Sequence, residues 1–86
     1  MKTFDLSISS PDGTMFEGQA ASLSVRGIQG DLAVLPGHIP FVTALKPCDA
    51  VIVLPDGKSK TGRIEGGILT VGQEKTTLLT GSIQWS

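Results

Sequence analysis

An all-β fold, a small β-sandwich of about eight to ten short and mostly antiparallel strands, is what this sequence predicts. Two observations point that way. Apolar and polar residues alternate along most of the chain, which is the period of a strand with one buried face. Glycine and proline, 11 and 5 of them in 86 residues, recur every few positions with β-branched residues between, so no window supports a helix of useful length. Short strands at regular spacing close into sandwiches or small barrels.

Each element follows from the same reading. Phe4, Leu6 and Ile8 alternate with Asp5, Ser7 and Ser9, giving a first strand that ends at the turn Ser10-Pro11-Asp12-Gly13. Proline pre-sets φ there, aspartate bonds its own backbone and glycine accepts positive φ. Met15 to Arg26 reads as one extended segment, with Gly18 inside it marking a bulge or bend. Gly27-Ile28-Gln29-Gly30 turns the chain into a strand from Leu32 to Leu35, and Phe41 to Leu45 forms another between Pro40 and Pro47. Ala50 to Leu54 is a buried strand, and Pro55-Asp56-Gly57 repeats the chemistry of the first turn. Ser59 to Glu65, Ile68 to Val71 and Lys75 to Thr80 follow, and Ile83 and Trp85 alternate at the end. Residues 1–86 read as a single domain.

Composition excludes several classes of function. A net charge of −1 leaves no basic excess to neutralise phosphates, and tyrosine is absent, so nucleic-acid binding is not expected. The longest aliphatic run, Ala50 to Leu54, is far too short to span a bilayer, and Met1 to Asp5 carries no apolar signal core. A single cysteine, Cys48, cannot form an internal disulfide, which fits a reducing compartment. Charged residues make up 17%, a low fraction that points to surface normally covered by a partner.

No reactive constellation emerges. One His and one Cys are too few ligands for an ordinary metal site. Cys48 with His38 lacks any local nucleophile motif, and a lone cysteine is usually a small core hydrophobe. Gly57-Lys58-Ser59 resembles the tail of a phosphate-binding loop, but Ile52 stands where that loop needs glycine and no helix follows. No catalytic residue, cofactor site or metal site is therefore expected. Lys58, Lys60 and Arg63 read as charges protecting an exposed strand from edge-to-edge pairing. Gly27 to Thr43 stands apart, with three glycines, two prolines and His38 in one short stretch. A rigid loop of this kind on a β scaffold often carries binding function.

At that stretch the sequence resembles a known family. Gly30-Asp31-Leu32-Ala33-Val34-Leu35-Pro36-Gly37-His38-Ile39-Pro40 is similar to the signature of the epsilon subunit of rotary ATP synthases. Ser10 to Gly18 resembles the family's first hairpin, Thr43 to Pro47 the strand and turn after the signature, and Gly66 to Val71 its glycine-pair strand. Ala33 and Cys48 depart from the family, which usually has glycine at both places. The resemblance implies a β-sandwich on the central stalk that binds the gamma subunit and the polar loops of the c-ring, turns with them, and helps convert proton flow into torque without catalysing anything. It implies gamma contacts at Ser10, His38 and Thr43 and a c-ring contact at Asp31. It further implies a peripheral place on the cytoplasmic face of a bacterial membrane, with no insertion into the bilayer. Family members usually continue into an inhibitory two-helix hairpin, and this sequence ends at Ser86, so coupling without hairpin-type inhibition is expected. The competing readings are an unrelated β-sandwich module for a carbohydrate or peptide, disfavoured by few exposed aromatic platforms, and a small enzyme, disfavoured by the lack of a converging catalytic set.

Overall fold

The computed structural model describes residues 2–37 and 39–86, and among them there are ten strands and no helix. In chain order they are β1 (Phe4–Ser10), β2 (Gly13–Ala20), β3 (Ser22–Gly27), β4 (Gly30–Val34), β5 (Phe41–Leu45), β6 (Cys48–Val53), β7 (Ser59–Ile64), β8 (Gly67–Val71), β9 (Lys75–Leu79) and β10 (Ile83–Trp85). The strands are hydrogen-bonded in the order β10-β7-β6-β3-β5-β8-β9-β1-β2, with β4 attached to the other side of β3. The link between β3 and β5 is one residue pair, Gly27 with Leu45. The molecule is thus two five-stranded layers, β4-β3-β6-β7-β10 and β5-β8-β9-β1-β2, joined at that corner. All pairings are antiparallel except β1 with β9.

Between the layers lies one apolar core. Leu6, Ile8, Leu23, Ile52, Ile64, Leu69 and Leu78 are wholly excluded from solvent. They sit at alternate positions of their strands, so the period of two read from the sequence is what fills the interior. Burying side chains of this size contributes roughly 1.5–3 kcal/mol each, the main favourable term opposing chain entropy. Among the described residues no buried side-chain polar atom lacks a partner. The Thr80 hydroxyl, for example, donates to the Gly66 carbonyl at 2.7 Å.

Both Pro-Asp-Gly turns form as expected, with Gly13 at φ 129° and Gly57 at φ 89°, conformations that a Cβ disfavours. Two expectations are corrected. Met15 to Arg26 is two strands, because the chain passes from one layer to the other at Ala21, whose N–H donates to the Val53 carbonyl. The irregularity in β2 lies opposite Ile8 and Ser9, where the register skips Met15, and not at Gly18, which pairs regularly with Leu6. The basic residues divide, since β10 pairs β7 only from Gly62 to Ile64, which covers Arg63 but not Lys58 or Lys60. β7 is flanked by β6 and β10, Arg63 pairs with Asp49 at 3.7 Å, and Lys60 lies over the Phe16 and Trp85 rings.

Candidate partner-binding surface

The residues singled out in the sequence fall on two parts of the sandwich. Ser10 closes β1, where its hydroxyl accepts from the Asp12 N–H at 3.2 Å and reaches the Gly13 carbonyl at 3.5 Å. It is therefore engaged in its own turn. Thr43 lies on β5 in the same layer, half-buried, and its hydroxyl donates to the Ala44 carbonyl at 3.3 Å. Asp31 lies on the other layer, next to the tip of the β3–β4 hairpin. Its Oδ1 accepts from Arg26 Nε at 2.7 Å, across the strand pair that sets the two residues opposite each other. Both side chains are largely exposed. The hydrogen bond to Asp31, and then its charge, raise the Arg26 pKa. A raised value means that this stabilisation is present below the ordinary arginine range and fades only as pH climbs through the folded value, so it is constant near neutrality. His38 lies outside the described residues.

The sheet carrying Ser10 and Thr43 has an outward face that is unusual in its chemistry. Register places Ala44, Ile68 and Leu79 side by side across β5, β8 and β9, and Val42, Thr70 and Thr77 in the next row. None of the six is charged. Val42, Leu79 and Ile68 are 68%, 51% and 49% exposed. Ile28, on the hairpin turn, is 57% exposed and donates its N–H to the Ala44 carbonyl, extending the apolar surface toward Asp31. Single exposed aliphatic residues are common, but a group of them in adjacent rows of one sheet face marks an interaction site.

Sequence reasoning missed this face. Leu78 and Leu79 are adjacent, and alternation alone does not say which one points inward. The resolving signal is the pairing of β9 with β1 and β8, which puts Leu78 in the core.

The opposite layer carries a shallow groove of about 610 Å³ running past Arg26, Asp31, Asp49 and Arg63, with Cys48 buried at its base. A second cleft, of about 480 Å³, lies between the hairpin residues Gly27 to Leu32 and Phe41 to Ala44 of β5. Among the described residues no group of three or more His, Cys, Asp or Glu side chains could hold a metal ion. Among the described residues no helix is long and apolar enough to cross a membrane.

A two-layer sandwich with an exposed aliphatic patch on one layer and a projecting hairpin on the other defines a small β-sandwich domain. More particularly, residues 3–86 match the family model for the beta-sandwich domain of the ATP synthase delta/epsilon chain, and the chain belongs to that family. It is 36% identical over 84 residues to the sodium-ion-specific ATP synthase epsilon chain of Acetobacterium woodii, covering 98% of this chain and 63% of that one. It is 40% identical over 79 residues to the epsilon chain of Bacillus velezensis, covering 92% and 59%. The chain thus spans about three-fifths of the length of the curated relatives it matches. Its fold also matches a chain of the Euglena gracilis mitochondrial ATP synthase with a TM-score of 0.91 at 22% identity, covering 96% of this chain and 53% of that one. A chain of the Tetrahymena thermophila mitochondrial ATP synthase central stalk and c-ring matches with a TM-score of 0.77 at 9% identity, covering 95% and 66%.

Proposed function

We propose that this protein is a non-catalytic rotor subunit of an ion-driven ATP synthase, which binds the gamma subunit and the c-ring and turns with them on the cytoplasmic face of a bacterial membrane. The observation that carries the reading, beyond family membership, is the exposed aliphatic patch of Val42, Ile68 and Leu79 on the outward face of β5-β8-β9, which Lys75 borders at the far end of β9. An aliphatic patch in a charge-poor chain is stable in water when a partner covers it, and removing such area from water contributes about 25 cal/mol per Å². Thr43 lies between Val42 and Ala44 of that face, and Ser10 lies one residue beyond Ser9, the β1 partner of Leu79. Alternation turns the Thr43 side chain away from the Val42 and Ala44 face and toward the cleft beside Gly27 to Leu32, so Ser10 and Thr43 are assigned to the gamma surface on sequence similarity. His38 is assigned to the same surface on sequence similarity.

Asp31 has a different role. It projects on the hairpin of the other layer, where a carboxylate accepts charge-assisted hydrogen bonds from polar loop groups of the ring. The domain thus grips two partners with two separate parts and transmits torque between them. Its one-residue corner at Gly27 and Leu45 lies between the two grips.

The test is a calorimetric titration into purified gamma subunit, with an Ile68→Asp variant alongside. The expected result is one-to-one binding, weakened on the order of a hundredfold by placing a charge at the centre of the face. Equal binding by the folded variant would overturn the assignment of the face, and no binding by either protein would overturn the gamma partnership.

A further inference from the structure

We propose that the free edge of β4 takes up an extended segment of a neighbouring rotor protein as an additional strand, with alternate side chains of that segment seated in the cleft between β4 and β5. The proposal rests on the rotor reading above for where the segment is found.

The argument starts from where the main-chain groups of β4 point. The Arg26 carbonyl accepts from the Lys46 N–H, and the Arg26 N–H reaches Cys48 Sγ at 3.4 Å, both away from β4. Arg26 and Asp31 are therefore a non-hydrogen-bonded pair of the antiparallel ladder. Alternation then directs the main-chain groups of Gly30, Leu32 and Val34 to β3, and those of Asp31 and Ala33 outward. Among the described residues none of these four outward groups has a main-chain partner, since β4 pairs only with β3.

Natural sheets usually blunt such edges with lysine, proline, a bulge or very short length. Of the other sheet ends, β10 and β2 conform, and β5 is tied to β3 only at its Leu45 end. β10 has three residues, and β2 carries the register irregularity near Met15 and packs Phe16 against Trp85. Gly30-Asp31-Leu32-Ala33-Val34 has none of these devices, and Arg26 offsets its one charge.

The surroundings specify the occupant. Beside the hairpin lies the 480 Å³ cleft, with Leu32, Phe41 and Thr43 half-buried in its lining and Val42 exposed at its rim. Small aliphatic side chains of an added strand fit there. Only Oδ1 of Asp31 is taken by Arg26, so its second oxygen favours a lysine or arginine on the incoming strand. The partner is an extended segment with one basic residue and small aliphatic residues at alternate positions, held by main-chain bonds as in β-augmentation.

Amide hydrogen exchange on the chain, free and assembled with gamma subunit and c-ring, tests this. The Asp31 and Ala33 amides should exchange freely in isolation and slow on the order of a hundredfold on assembly, while Leu32 and Val34, already bonded to β3, change little. Ala33→Pro removes one outward N–H without touching the β3 ladder, and should weaken assembly roughly tenfold while Ala33→Ser does not. Assembly with unprotected Asp31 and Ala33 amides would overturn this proposal and leave the rotor reading standing. Failure to assemble at all would overturn both. Protection that depends on the chain's own concentration, without the other subunits, would show that a second copy occupies the edge and would also overturn it. The wild-type exchange data decide the matter even if Ala33→Pro does not fold.

Discussion

Phe16 and Trp85 meet with ring centroids 6.4 Å apart and planes inclined at 53°. They belong to β2 and β10, the two strands at opposite ends of the hydrogen-bonded order, so a side-chain contact closes what the backbone leaves open. Lys60 completes the closure with its Nζ 4.3 Å from the Trp85 ring and 5.9 Å from that of Phe16. Trp85→Ala should therefore lower stability by about 2–4 kcal/mol, because it removes an aromatic side chain from a packed site. A double-mutant cycle with Phe16→Leu should show a coupling of about 0.5–1.5 kcal/mol. Chemical denaturation of the four proteins measures both.

Gly62 and Gly67 should be intolerant of alanine to different degrees. A Cβ at Gly62 would lie 2.6 Å from Ile83 Cδ1 and 2.9 Å from Trp85 Cε3, both side-chain atoms that can shift. The cost of such overpacking is about 1–3 kcal/mol. A Cβ at Gly67 would collide with the Leu79 carbonyl, which is backbone fixed in the ladder to β9. Gly67→Ala should be the more damaging, with loss of more than about 3 kcal/mol or failure to fold. Thermal unfolding of the pair gives the order, and a reversed order would refute this account of the glycines.

Asp31→Ala should leave the melting temperature almost unchanged, since its ion pair with Arg26 is exposed on both sides. If Asp31 serves the ring, the same variant should reduce ion-driven ATP synthesis in reconstituted vesicles. Arg26→Ala, which also breaks the pair but leaves the carboxylate, should reduce it less. Equal loss in both variants would assign the effect to the pair rather than to Asp31.

Cys48 should react with a thiol reagent only when the protein opens. Its side chain is buried, and the Arg26 N–H points at its sulfur at 3.4 Å. Buried thiols are inert irrespective of their intrinsic chemistry. The labelling rate should rise with denaturant in step with unfolding. Rapid labelling under native conditions would show that the base of the 610 Å³ groove opens independently.

Much of the fold was legible because its determinants are local. Pro11-Asp12-Gly13 and Pro55-Asp56-Gly57 set their turns within a few residues, and the alternation in Phe4 to Ile8 names the buried face of β1. What was not legible depends on partners distant in sequence. The break at Ala21 follows from its bond to Val53, the placement of Lys60 from rings 44 and 25 positions away along the sequence, and the apolar face from strand order. Asp31 was singled out by family likeness, and its ion pair with Arg26 needed the register. The Ser10 and Thr43 assignments came from family likeness. The structure adds that both hydroxyls are already engaged locally, so backbone position matters at these sites as much as side-chain chemistry.

The parallel pairing of β1 with β9 has a consequence for how the chain acquires its shape. Asp5 to Ser9 find their neighbours at Lys75 to Leu79, so β1 is flanked by a strand that follows it by about seventy residues. During synthesis the β1–β2 hairpin must wait, with Leu6 and Ile8 uncovered on one side, until Lys75 to Leu79 have left the ribosome. The hairpin β3–β4 and the β6–β7 pair need no such delay. The layer bearing the apolar face is therefore the late-forming half, and a nascent chain stalled before Lys75 would offer chaperones the very residues that the finished molecule keeps inside.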